Sequence, residues 1–147
     1  MTFPCGTALL RACALLAALP LFAACENGAT AMSIENKDHA LVLVREQPVF
    51  WDDKIEQYIV ASRLPECQRR VKIHPDRVAM TPIAVYEAGH LLWAMNQGAQ
   101  WYLVSTEECR VQDWDNPGGQ PPGAAAGSFG QRGGQLAFTS ASPPAGR

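Results

Sequence analysis

His39-Ala-Leu-Val-Leu-Val-Arg45 decides the fold class. An apolar run this short, with its valines, suits a strand largely covered on both faces rather than a helix. Glu46-Gln-Pro48 breaks it. Glu56-Gln-Tyr-Ile-Val-Ala-Ser-Arg63 is a second run rich in strand formers. Arg69-Arg-Val-Lys-Ile-His74 alternates basic and apolar residues, as a half-exposed strand does. Arg77-Val-Ala-Met-Thr-Pro-Ile-Ala-Val-Tyr86 reads as another strand, with Pro82 marking an edge or a bulge. Leu91-Leu-Trp-Ala-Met95 and Gln100-Trp-Tyr-Leu-Val-Ser105 flank a glycine-containing loop and read as a hairpin. Residues 107–112 suit a last short strand or turn. Val49-Phe-Trp-Asp-Asp53 is expected to pack Phe50 and Trp51 on the core beside an acidic turn, with room for a short helical turn over residues 51–57. No long helix is indicated. The expectation is a mainly β domain over residues 38–115: a small antiparallel sheet, sandwich or partly closed barrel.

Both flanks differ in character. Residues 25–37 are polar and aperiodic and read as a tether. From Asn116 the chain is rich in Gly, Pro, Ala and Ser, with Phe129, Leu136 and Phe138 almost its only large apolar residues. Such a stretch buries little surface against its ordering entropy, so residues 116–147 are expected to form a disordered tail.

Ahead of the tether, Arg11 precedes an apolar run from Ala12 to Ala24, and Cys25 ends it. The run has the charge, apolar stretch and small terminal residues of an export signal over residues 1–24. It falls short of the roughly 20 apolar residues that span a bilayer, and Pro20 would kink a continuous helix. Leu21-Phe22-Ala23-Ala24-Cys25 resembles the lipobox of bacterial lipoproteins. The resemblance implies diacylation of the Cys25 thiol, cleavage just before it and acylation of the new amino terminus. The partner is then the lipid bilayer, and several acyl chains hold firmly, at about 0.8 kcal/mol per buried CH₂. In that class an aspartate after the cysteine favours inner-membrane retention. Glu26 stands there instead, which makes an outer-membrane anchor facing the periplasm the default. A rival small-x-small site, Ala29-Thr30-Ala31, would release a soluble periplasmic binding or inhibitor protein by cleavage after Ala31.

Twelve Lys and Arg against fourteen Asp and Glu give a formal charge of −2. Signal removal takes Arg11 and no acid. That balance speaks against nucleic acid as a partner. Of the five cysteines, Cys5 and Cys13 leave with the signal and Cys25 carries lipid. Cys67 and Cys109 remain, and in an oxidising compartment they read as a disulfide. Closing a loop of roughly 40 residues contributes about 4 kcal/mol in the chain-entropy picture.

No catalytic, metal or cofactor motif is identified. His39, His74 and His90 lack metal-ligand spacing. There is no nucleophile elbow, and adjacent Asp52 and Asp53 would point to opposite sides of a strand. Arg70, Lys72 and His74 share one strand face and are candidates for surface contact, although exposed charges on such a strand are ordinary. Of neighbouring Trp101 and Tyr102, one should face inward and the other outward as a contact residue. The sequence points to a non-catalytic envelope lipoprotein, a binding or structural module with an envelope protein or glycan as partner.

Overall fold

The computed structural model describes residues 27–141. The export signal, Cys25, Glu26 and the last six residues of the expected tail lie outside them. The described residues form ten strands: β1 (Asn27–Asn36), β2 (His39–Glu46), β3 (Lys54–Arg63), β4 (Cys67–Arg77), β5 (Ile83–Gly89), β6 (Leu92–Gln97), β7 (Gln100–Ser105), β8 (Arg110–Asp113), β9 (Ala125–Arg132) and β10 (Gln135–Ser140). Every pairing is antiparallel. One sheet has the order β1-β2-β3-β4 and the other β10-β9-β5-β6-β7-β8. The mainly β fold expected from the sequence is present.

Period-two patterning builds the core between the sheets. Leu41 and Leu43 of β2 stand opposite Ala61 and Ile59 of β3, and all four are fully buried. Ile83, Val85, Met95, Tyr102, Val104 and Phe129 face them from the second sheet. Cys67 and Cys109 form a disulfide with Cα atoms 6.0 Å apart. It joins the start of β4 to the turn before β8, as the cysteine count implied.

Four expectations need correction. Residues 27–36, expected in the tether, are strand β1, paired with β2 from Asn27 opposite Glu46 onward. Their inward positions Gly28, Thr30, Met32 and Ile34 do alternate, but only two are large, so the amphipathic signal is weak. Residues 125–140, expected in the disordered tail, form the β9–β10 hairpin. One residue anchors it: Phe129 is fully buried opposite Ile83. Gly127 is required there, since a Cβ would collide with the Thr139 carbonyl and meet the Phe138 ring at 2.5 Å. Its lack of a side chain lets the hairpin close tightly. The strand expected over residues 77–86 is split. β4 runs through Pro75 to Arg77 in one sheet and β5 starts at Ile83 in the other, so residues 78–82 are the crossover between the sheets. Finally, Phe50 and Trp51 do not pack on the core. Residues 49–52 form a turn closed by the Asp52 amide on the Val49 carbonyl (3.1 Å), and the strand resumes at Lys54 with no helical segment.

Alternating connections give the molecule two ends. The β1–β2, β3–β4, β5–β6 and β7–β8 turns share one end with the disulfide. The start of β1 and the β2–β3, β4–β5, β6–β7 and β9–β10 connections share the other.

Candidate functional site

The end that holds Asn27 carries the least orthodox chemistry. Arg45 points inward from β2, next in line after Leu41 and Leu43, and is fully buried. A buried guanidinium is tolerable only when paired and hydrogen-bonded. Its Nη1 donates to Asp76 Oδ2 (2.9 Å) and Gln57 Oε1 (3.3 Å), and its Nη2 to the Arg77 carbonyl (2.6 Å). Gln57 donates through Nε2 to Gln97 Oε1 (2.8 Å) and the His74 carbonyl (2.9 Å). Gln97 Nε2 in turn reaches the Thr81 carbonyl (2.9 Å), while the Thr81 amide donates to Asp76 Oδ2 (2.9 Å). The network therefore ties β2, β3, β4, β6 and the β4–β5 loop together. A cleft of about 740 Å³ opens beside it, lined by Gly28, Arg45, Val78, Gln131 and Leu136 among others.

The loops around that cleft expose apolar side chains. Trp51 is 77% exposed, Phe50 58% and Val78 41%. Phe50 and Trp51 meet edge to face with centroids 4.6 Å apart. The loop is held, not loose: the Gln47 amide donates to Asn27 Oδ1 (3.1 Å) and Gln47 Nε2 to the Asp52 carbonyl (2.6 Å). The Val78 amide donates to the Asp53 carbonyl (2.9 Å), which places Val78 beside the same loop. Sequence reasoning missed this group because an aromatic pair near a strand end reads as core. The turn residues Pro48, Asp52 and Asp53 around it were the available signal.

The basic patch foreseen on β4 is divided. Arg70 pairs with Glu46 (2.8 Å) and lies over the Tyr58 ring, 3.8 Å from its centroid. Lys72 pairs with Glu56 (2.8 Å), which also accepts from the Tyr58 hydroxyl (2.9 Å). These hydrogen bonds from Lys72 and Tyr58 hold the Glu56 carboxyl below its usual range, and the bond to Glu56 raises the Lys72 ammonium. His74 is engaged elsewhere, with its Nδ1 3.0 Å from the Tyr102 hydroxyl. Burial raises the Tyr102 phenol. What was foreseen as one cationic face is thus a set of balanced surface pairs and a core-linked histidine.

Tyr102 is the inward member of its pair, and Trp101 lies on the outer face of the second sheet. There Trp101 stands between Tyr86 (centroids 5.9 Å apart) and Trp114 (5.7 Å, edge to face). Stacked aromatics of this kind stabilise a sheet face and leave partly exposed rings for a partner.

At the disulfide end, Glu35, His39 and Thr106 form a relay. His39 Nδ1 is 3.1 Å from Glu35 Oε2 and its Nε2 is 2.9 Å from Thr106 Oγ1. The order hydroxyl, imidazole, carboxylate is that of an activated nucleophile. Thr106, however, has no exposed surface, and its hydroxyl also lies 3.4 Å from the Leu91 carbonyl. A substrate cannot reach it, and the relay serves to satisfy a buried imidazole. No group of three or more metal-ligating side chains occurs among the described residues, nor any helix long and apolar enough to cross a membrane.

Comparison of the chain with protein-family models, with curated proteins and with solved structures found no match.

Proposed function

We propose that this chain is a non-catalytic lipoprotein of the bacterial envelope, held through acylated Cys25 and most simply on the periplasmic face of the outer membrane. The observation that carries the reading is the start of β1. Asn27 to Ala31 pair with Glu46 to Val42 of β2. Cleavage before Cys25 leaves that ladder whole. Cleavage after Ala31 would strip half of an edge strand, expose β2 and uncover the core beside Thr30, so the soluble periplasmic alternative is the poorer fit. The burial of Thr106 supports a binding or structural role over hydrolysis. The partly exposed row Tyr86, Trp101 and Trp114 is the surface best suited to an envelope protein or glycan, since aromatic rings offer large contact area at low entropy cost.

Intact mass of the mature protein, taken from the membrane fraction with and without reductant, tests the reading. The expected species begins at Cys25, carries acyl chains and gains a proton on each sulfur of the Cys67–Cys109 pair on reduction. An unacylated chain beginning at Met32 would overturn it.

A further inference from the structure

The same end of the domain that receives the anchor also displays its most exposed apolar side chains, and we infer that this end lies in the bilayer surface, with Phe50 and Trp51 inserted among the lipid headgroups. The inference rests on the lipoprotein reading above and adds an orientation to it. Its first support is a length. Strand β1 begins at Asn27, so a single residue, Glu26, separates Cys25 from it, and the two steps from Cys25 to Asn27 span at most about 7 Å. A headgroup layer is itself about 5–8 Å deep on each side of the hydrocarbon. An acylated Cys25 therefore brings Asn27 into that layer and leaves no slack for the domain to stand away from it.

The second support is what surrounds Asn27. Gln47, at the head of the β2–β3 loop, is bonded to the Asn27 side chain, and the loop carries Phe50 and Trp51 three and four residues on. Val78 is tied to the same loop through Asp53. Among the described residues four large apolar side chains are notably exposed, and Phe50, Trp51 and Val78 cluster here, while Leu64 alone lies at the opposite end. Random exposure of apolar residues needs no explanation, but a grouped set at the point of anchorage does. Tryptophan and other aromatic rings favour the membrane interface, where an apolar body and a polar edge both find partners.

Charge permits the contact. Asp52 and Asp53 in the loop are matched by Lys54 and Arg77, with Arg77 Nη1 2.6 Å from Asp53 Oδ2. The docking end is close to neutral, which suits a zwitterionic surface and gives a contact set by aromatic insertion rather than by cation clusters. Trp51 then acts as a second attachment that fixes the tilt of the domain, turning the disulfide end toward the aqueous side.

The test uses the full-length processed protein, purified from membranes in detergent and reconstituted into phosphatidylcholine vesicles with or without bromine on the upper acyl chain. Tryptophan emission is compared for the wild type, Trp51→Phe and Trp114→Phe, with mass spectrometry of each preparation. The expected result is that brominated lipid quenches part of the wild-type emission, that Trp51→Phe removes this quenching and that Trp114→Phe keeps it. Because Trp51 is so exposed, Trp51→Phe should melt with the wild type, which excludes misfolding as the cause. If the chain is acylated but quenching is absent, or persists in Trp51→Phe, the docking proposal is overturned while the lipid anchor stands. If the mass shows no lipid, both fall.

Discussion

On the inward face of β2, His39 and Arg45 sit six residues apart, about 20 Å along the strand, with Leu41 and Leu43 between them. Each is a buried nitrogen base, and each marks one end of the molecule. His39 is satisfied by Glu35 and Thr106, beside turns that the Cys67–Cys109 bond joins covalently. Arg45 is satisfied by Asp76, Gln57 and the Arg77 carbonyl, beside a cleft and loops that carry bare aromatics. One end is closed by a covalent bond and compact turns. The other is held by charge and amide bonds inside, which frees its loops to present apolar surface outside. The fold thus concentrates local rigidity at one pole and contact chemistry at the other.

The largest expected effect breaks both ends at once. A stop after Asn116 removes β9 and β10, the wall that packs Phe129 and Phe138 on the core (centroids 4.9 Å apart) and sets Leu136 against Gly28. Truncating one buried Phe to Ala costs about 3–5 kcal/mol, and a whole domain has about 5–15. The shortened chain should therefore lose its cooperative thermal transition, followed by near-ultraviolet circular dichroism. Retention of the wild-type melting temperature would make the hairpin an accessory rather than a wall.

That hairpin also shows where the sequence stops being legible. The central strands announce themselves because β2 and β3 concentrate Leu, Ile and Val, and the cysteine count, once export is read, leaves a single pair. β1, β9 and β10 do not, because they sit at the seam where the sheets meet and backbones approach closely. Close approach calls for Gly127, and the Gly, Ala and Ser around it give the composition that otherwise marks a flexible chain. The basic residues of β4 were legible as a face, but their partners Glu46 and Glu56 arrive from other strands and depend on register. Phe50 and Trp51 were misplaced for the opposite reason: hydrophobicity alone names core, and only the position of the loop shows that they stand exposed among the described residues.

At the disulfide end, Cys67→Ser/Cys109→Ser should lower stability by about 4 kcal/mol in the chain-entropy estimate, measured from the urea midpoint. Cys67→Ser alone should cost as much as the pair, since either change removes the same bond. Amide exchange should quicken first at Leu64 and Thr106, whose backbone bonds to Asp38 and Leu91 lie beside the lost cross-link. Faster exchange at Val78 before Thr106 would contradict the division into two poles.

The smaller effect belongs to the Arg45 end and sharpens the comparison most. Asp76→Asn keeps the shape of the side chain but removes the carboxylate that pairs with the fully buried Arg45 guanidinium at 2.9 Å. Removing one partner of a buried pair costs about 3–5 kcal/mol, and about 3 is expected here because the Asp76 side chain keeps 11% exposure and asparagine can still accept a bond from the Thr81 amide. Arg45→Met/Asp76→Asn should be destabilised by less than the sum of its single changes, because both changes remove the same ion pair. The disulfide change and Asp76→Asn, by contrast, act some 20 Å apart and should add within about 0.5 kcal/mol, as sites with no shared partner do. Strong coupling between them would mean that the two ends answer to one network through the core, and the contrast between a rigid pole and a presenting pole would have to be abandoned.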